Sequence, residues 1–429
     1  MRIDNIIIDN FRCFEHINIA FNPNMNVLVG NNGAGKTTLL EAVSVGIGSL
    51  FLGIESVSAP NINKTDVRVV ANKIGSTVDM QPQYPVTISC SGVIDERSLS
   101  WKRSLNTENG RTTFGDALNI KDLSSNWQNM IRKGDPSIAL PLISYYGTGR
   151  LWAQKHDSSL KAADNRLQGY TDCLSAKSNE KLMLKWFEKM TYAQLQDGIP
   201  IPELQSVYNA MKVAFTESGV NAEEVRIWFD VKSHCLKIAY INENGDYEEH
   251  PFYELSDGYR NTLSLIADIA YRMSVLNPQF WGDAAKKTTG IVLIDEVDLH
   301  LHPKWQRNIL KTLHKVFPLI QFIVTTHSPS VISSAGTDEL LILDGKECRV
   351  FDYNVYGKDA NSVLKEIMGT SDRPDDVIEL FSSFDEAIDK ENYSEAEKKL
   401  ESLRKILGDN DNGVVSATVS LDFRKNWEE

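Results

Sequence analysis

Gly30-Asn31-Asn32-Gly33-Ala34-Gly35-Lys36-Thr37 follows the apolar run Met25-Asn26-Val27-Leu28-Val29 and precedes a helical pattern on Leu39, Leu40, Ala42 and Val43. Glycines at this spacing let the backbone wrap so that successive N–H groups point at the β- and γ-phosphates of a nucleotide. The helix that follows aims its positive N-terminus at the same anion. Lys36 adds a point charge, and the Thr37 hydroxyl is placed to ligate Mg²⁺. A second group of reactive side chains ends the run Ile291-Val292-Leu293-Ile294, namely Asp295 and Glu296. Side chains alternate along a strand, so two adjacent acids cannot share one task. Asp295 is placed to hold the metal shell, and Glu296 to take a proton from the water that attacks the γ-phosphate. His327, in Thr325-Thr326-His327-Ser328, closes a third apolar run, Phe322-Ile323-Val324, from where an imidazole can reach the γ-phosphate or that water.

Two weaker signals accompany these. Leu255-Ser256-Asp257-Gly258-Tyr259 opens a helical run, and Ser and Gly at a helix N-terminus offer N–H groups to an anion, although a simple cap has the same look. His300 and His302 have HxH spacing within Asp298-Leu299-His300-Leu301-His302-Pro303, without the further ligands a metal site needs.

The elements that position these groups alternate between strand and helix, which makes the chain α/β. Ile3, Ile6 and Ile8, then Ile17, Ile19 and Phe21, then Val27 and Val29 mark short strands at the N-terminus. Residues 51–140 change character, with Val86-Thr87-Ile88-Ser89-Cys90 and Leu99/Trp101 as alternating segments, and read as a β-rich insertion. A helical lobe is expected from about Ser178 to Ser218, then a further alternating stretch from Arg226 to Tyr240 with a hairpin at Asn244-Gly245. Gly290–Ile294 and Gln321–Val324 read as neighbouring buried parallel strands. Two amphipathic helices close the chain, the second opened by the capping box Ser394-Glu395-Ala396-Glu397. The expected organisation is a discontinuous head of residues 1–50 and 250–350, an insertion and lobe over 51–249, and an acidic helical region over 351–429.

At 429 residues with 42% hydrophobic content the chain has ample core for several modules; Met1-Arg2-Ile3-Asp4 lacks the apolar stretch expected of a signal peptide, and no apolar run is of membrane length. Five scattered cysteines suit a reducing compartment, so a cytoplasmic protein is expected. A net charge of −13 argues against diffuse nucleic-acid binding. The charge is uneven: residues 354–429 hold 10 Lys+Arg against 18 Asp+Glu, and residues 101–190 hold 14 against 9. If DNA is bound directly, the middle region is the expected face.

Taken together these motifs resemble the ABC-type ATPase head of the SMC proteins and their short relatives. Gly30–Thr37 is similar to Walker A, Ile291–Glu296 to Walker B, Asp298 to the start of the D-loop, His327 to the switch histidine, and Leu255–Tyr259 stands where that family carries LSGGQ. The resemblance implies an ABC/SMC-type P-loop NTPase head with a mixed sheet, β-rich insertion, helical lobe and C-terminal helical hairpin. It also implies ATP and Mg²⁺ as cofactors. Two heads of that family sandwich ATP, so a homodimer or higher homo-oligomer is expected, with Ser256 and Gly258 completing the site of another subunit. Asn10-Phe11-Arg12-Cys13-Phe14 resembles the N-terminal segment that brings an arginine to the nucleotide. The implied binding set is Arg12, Gly30, Asn31, Asn32, Gly33, Ala34, Gly35, Lys36, Thr37, Thr38, Ser256, Gly258 and Asp298. The implied metal ligands are Thr37 and Asp295, and the catalytic residues Glu296, His327 and Lys36.

A closer resemblance is to the bacterial AAA-15/AAA-21-like ATPases that include the ATPase subunit of the Septu anti-phage defence system. It is carried by Pro141–Arg150, Gly169-Tyr170-Thr171-Asp172 and His300–Pro303. That Septu subunit works with an HNH nuclease, so the resemblance implies such a partner. This chain shows neither an HNH pattern nor an extension long enough for a TOPRIM nuclease after His327, so cleavage is expected from a partner. Asp257 and Tyr259 depart from LSGGQ, and an acid near a phosphate predicts slow hydrolysis unless its side chain points away. The alternatives are a RecF-like DNA-repair clamp and a nucleotide-gated oligomeric scaffold.

Overall fold

The computed structural model describes residues 1–151, 165–175, 180–218, 223–344, 347–351, 354–371 and 373–426. Among these, the chain divides into a large unit, Met1–Ala360, and a small C-terminal unit, Asn361–Glu429.

The strands of the large unit are β1 (Arg2–Phe11), β2 (Phe14–Ala20), β3 (Met25–Val29), β4 (Val69–Ile74), β5 (Thr77–Pro82), β6 (Val86–Ile94), β7 (Arg97–Leu105), β8 (Leu142–Tyr146), β9 (Glu223–Asp230), β10 (Cys235–Ile241), β11 (Tyr247–Pro251), β12 (Gly290–Ile294), β13 (Ile320–Thr325), β14 (Leu340–Leu343) and β15 (Cys348–Val350). Its main helices are α1 (Lys36–Ile47), α2 (Leu118–Arg132), α3 (Glu180–Asp197), α4 (Pro202–Glu217) and α5 (Asp257–Leu276).

The central sheet runs β15-β14-β3-β13-β12-β8, with every pair parallel except the edge pair β14/β15. Every residue of β3, β12, β13 and β8 is buried, which is why these strands read as unbroken apolar runs rather than alternating ones. Ile294 is in register with both Tyr146 and Val324, and Thr325 with Leu28. Segments that are far apart in the chain therefore leave the sheet along one C-terminal edge, where α/β sheets bind ligands.

A second, antiparallel sheet, β2-β1-β6-β7, alternates buried and solvent-facing residues along β6. Helix α1 touches strands of both sheets. Gln321 on β13 joins the sheets directly: its side chain accepts from Ile3 N at 2.8 Å and donates to Ile3 O at 2.8 Å. Such pairing removes the cost of a buried amide.

The strands do not follow the division expected from composition. β8 falls within residues 51–249 yet is an edge strand of the central sheet, and β6 and β7 extend the sheet begun by β1 and β2. The expected helical block is two helices, α3 and α4, broken at Gly198, whose φ is +68°; Ser178 lies outside the described residues. The hairpin at Asn244-Gly245 joins β10 to β11, with Gly245 at φ +84°.

The C-terminal unit contains the amphipathic helices Asp375–Asp389 and Tyr393–Leu407 and a third helix, Asn412–Asn426, around Phe384, Leu400, Leu403, Val414 and Leu421. Two were expected. The third begins Asn-Gly and is rich in Val, Ser and Thr, all poor helix formers, so packing rather than propensity sustains it. The cap of the second is Asn392, which accepts from Glu395 N at 3.2 Å, and not Ser394. Among the described residues no helix is long and apolar enough to cross a membrane.

Candidate nucleotide site

The loop Gly30–Thr37 joins β3, a central strand, to α1. Its shape depends on glycine at two places. A Cβ on Gly30 would fall 2.2 Å from Leu343 O, inside van der Waals contact with β14. Gly35 has φ +98°, a conformation costly for any residue with a side chain. Between them Asn31, Asn32 and Gly33 are exposed, so the loop backbone faces outward while Lys36 is buried at its root.

The Lys36 ammonium donates to Gly30 O at 2.7 Å and Asn31 O at 3.1 Å, bracing the loop from inside. Burial lowers the Lys36 pKa below its ordinary value, and the Asp295 and Glu296 carboxylates oppose that shift. Thr37 Oγ1 donates to Asp295 Oδ2 at 2.8 Å, which brings the loop and the acidic strand end together. Asp295 Oδ1 accepts from Thr325 Oγ1 at 2.6 Å, and the same Thr325 oxygen accepts from Glu296 N at 2.8 Å. Glu296 is half-buried and sits at φ +48°, a left-handed conformation that turns the chain sharply off β12. The donor set is thus one hydroxyl and one carboxylate at the foot of the glycine loop, which fits a hard divalent cation.

His327 is half-buried at the end of β13, on the same sheet edge. Its neighbours are tied down. Thr326 Oγ1 donates to Asp298 Oδ1 at 2.6 Å and accepts from Ser328 N at 3.0 Å, and Ser328 Oγ donates to Gln306 Oε1 at 2.7 Å.

Arg12 is positioned by β1 and has φ +49°. Its guanidinium pairs with Asp66, Nη2 to Oδ1 at 2.8 Å, and with Glu41 on α1. Burial works against its charge, but the two carboxylates outweigh burial and raise its pKa. Burial also raises the Glu41 pKa. The fold therefore hands Arg12 to carboxylates on α1 and on the segment before β4.

Ser256 is the N-cap of α5, and its side chain makes no capping bond to the helix. Asp257 is exposed and its Oδ1 accepts from Arg260 Nη2 at 2.7 Å, so its charge is paired by its own helix. Gly258 lies against the segment after Asp298: a Cβ there would be 2.7 Å from His300 O. His302 caps the short helix Pro303–Gln306, accepting from Lys304 N at 3.3 Å. Sequence reasoning passed over Thr325, Thr326, Gln306, Glu41 and Asp66. The hydroxyl doublet directly before His327 was the one available signal; nothing local marks Glu41, Asp66 or Gln306.

A glycine loop braced by lysine, with a hydroxyl–carboxylate pair at its foot on a mixed sheet, is the arrangement that a P-loop nucleotide site requires. The model of an AAA domain matches residues 5–199, and that of an AAA ATPase domain matches residues 155–332. It is similar to the Retron Ec83 probable ATPase of Escherichia coli, 27% identical over 100% of this chain and 88% of that protein. It is also similar to the Septu protein PtuA of Bacillus thuringiensis, 24% identical over 91% of this chain and 90% of that protein. Among solved structures, an SMC head bound to the C-terminal winged-helix domain of ScpA is 15% identical, covering 82% of this chain and 98% of that one with a TM-score of 0.48.

Proposed function

We infer that this protein binds and hydrolyses ATP slowly, assembles through ATP held between the heads of two copies, and regulates an HNH nuclease subunit of PtuB type in anti-phage defence. The observation that carries the nucleotide reading is the 2.8 Å bond from Thr37 to Asp295, made across 258 residues of chain. Similarity to PtuA and to a retron ATPase along nearly the whole chain supports the defence role.

In this reading the loop N–H groups and Lys36 hold the β- and γ-phosphates, with Thr38 and the first turn of α1 beneath them. Thr37 and Asp295 would hold Mg²⁺, which when bound neutralises charge on the phosphate oxygens. Glu296 orients and deprotonates the attacking water, and His327 donates to the γ-phosphate oxygen. Arg12 and Asp298 border the nucleotide, and Ser256 and Gly258 of a second copy close over it. The protein carries no nuclease chemistry of its own in this reading and acts in the cytoplasm. DNA reaches it through the partner or through residues 101–190.

Lys36→Ala and Glu296→Gln test this in one experiment. Lys36→Ala is expected to abolish ATP binding and ATP-dependent assembly. Glu296→Gln is expected to keep both and to lower turnover about 100-fold or more. Light scattering with and without ATP reads assembly. Identical assembly by the two variants overturns the nucleotide-gated reading, and parental turnover well above about 1 per second overturns slow hydrolysis. Tight, salt-sensitive binding of duplex DNA without any partner favours a repair clamp instead.

A further inference from the structure

Tyr259 occupies the position where the resemblance predicts glutamine, and its ring is built into the protein. It meets Trp305 edge-on, with centroids 4.7 Å apart and planes at 87°, and Phe215 of α4 at 5.7 Å. Trp305 is 6% exposed. Aromatic pairs of this geometry hold orientation as well as area.

One residue before Tyr259, Gly258 lies so close to His300 O that no side chain fits between them. The turn 256–259 is thus packed at two points on the segment Asp298–Gln306. That segment is in turn bonded at both ends to the residues flanking His327. Asp298 accepts from Thr326, and Gln306 accepts from Ser328 while donating to Leu301 O at 3.0 Å. A continuous physical path therefore runs from the turn at Ser256, through the Tyr259 and Trp305 rings and the Gln306 amide, to the Ser328 hydroxyl beside His327.

We propose that Tyr259 and Gln306 are positioning residues that couple the turn at Ser256 to His327 of the same chain, so that closing one head on its neighbour's nucleotide sets the histidine of its own site. The proposal rests on the shared-site reading above. It assigns the departure from the glutamine of LSGGQ a purpose: a ring that grips Trp305 in its own subunit. Neither residue belongs to the proposed nucleotide-binding set of its own subunit, so their loss is expected in turnover and not in binding.

The test uses the full chain with Tyr259→Leu, Gln306→Leu, the double variant, Tyr259→Phe and Ser256→Arg. Binding of a fluorescent ATP analogue is expected to stay within about twofold, while kcat falls about tenfold in each single variant at unchanged KM. Tyr259→Phe, which keeps the ring, retains parental kcat. The double variant falls no further than the worse single one, because the two residues act as a unit. Parental kcat in both single variants, losses that multiply in the double variant, or a parallel loss of nucleotide binding and thermal stability overturns the proposal. Ser256→Arg separates the two levels. If it abolishes ATP-dependent assembly while Tyr259→Leu and Gln306→Leu behave as the parent, the coupling fails and the shared site stands. If it leaves assembly and turnover unchanged, the shared site itself falls and the coupling with it.

Discussion

Thr325 holds Asp295 and Glu296 with a single oxygen: Oγ1 donates to Asp295 Oδ1 at 2.6 Å and accepts from Glu296 N at 2.8 Å. Thr325 is fully buried on β13, one strand away from the two acids. It sets the direction of both the carboxylate that faces Thr37 and the turn that carries the proposed base.

Thr325→Val keeps the volume and removes both bonds. Losing two buried hydrogen bonds, one of them to a carboxylate, costs about 1–3 kcal/mol. A drop of that size in denaturant unfolding free energy is expected, with kcat lower by about tenfold or more. Thr325→Ser is expected to recover most of both, and failure of Ser to recover activity would assign the effect to the methyl group's packing.

Gly35→Ala is expected to abolish ATP binding and lower the melting temperature. The added Cβ would meet Phe14 Cζ at 2.7 Å and Cys13 Sγ at 2.8 Å, at a φ of +98°. Gly75→Ala is the control: φ is +63° but nothing lies within 4 Å. It should cost about 1 kcal/mol and leave ATP binding intact. Equal nucleotide affinity in the two variants, read by calorimetry, would remove the steric argument.

Asp268 and Arg272 on α5 form a buried pair, Oδ2 to Nε at 2.7 Å, and Tyr146 of β8 donates to the same Asp268 oxygen at 2.7 Å. Tyr146 O also accepts from Asp295 N at 2.8 Å, so this pair ties α5 to the acidic strand end. Arg272 Nη1 further donates to Gly169 O and Thr171 O, both at 2.9 Å. Asp268→Ala leaves a buried guanidinium without its counter-ion and should cost about 3–5 kcal/mol. Asp268→Leu with Arg272→Met together should cost less than Asp268→Ala alone; urea titration reads the order.

Glu248 on β11 should titrate far below an ordinary glutamate. Bonds from Tyr240 at 2.6 Å and Asn242 at 2.7 Å, then His250 at 3.2 Å, lower its pKa from 4.5 to about 2. A folded pKa below the unfolded one means that this carboxylate supports the sheet β9–β11 fully above pH 4.5 and ceases to do so as pH falls through about 2. Carboxyl carbon shifts followed by NMR should show a midpoint near 2, moving toward 4.5 in Tyr240→Phe. An unchanged midpoint in that variant would remove Tyr240 as the main cause.

The segments with contiguous chemistry were legible in the sequence. Gly30–Thr37, Ile291–Glu296 and Phe322–His327 announce themselves because a loop, a buried strand and the polar residues at its end are local arrangements, set by neighbouring residues through φ preference and burial period. The same local logic located β6 and the Asn244-Gly245 hairpin, whereas the single alternating stretch expected over Arg226–Tyr240 is two antiparallel strands, β9 and β10. It failed at the last helix, Asn412–Asn426, whose residues favour helix weakly and whose helicity comes from packing on its neighbours.

Only the tertiary structure decided which of these segments meet. The order β15-β14-β3-β13-β12-β8, the place of β8 beside the acidic strand, the Thr37–Asp295 bond, the capture of Arg12 by Asp66 and Glu41, and the edge-on packing of Tyr259 against Trp305 all join residues tens to hundreds of positions apart. Such contacts depend on how the whole chain shares out its buried surface and its crossovers, and no window of sequence contains that sum. The chemistry was written locally, in residue types; the geometry that makes it one site came from the packing of strands that the sequence keeps far apart.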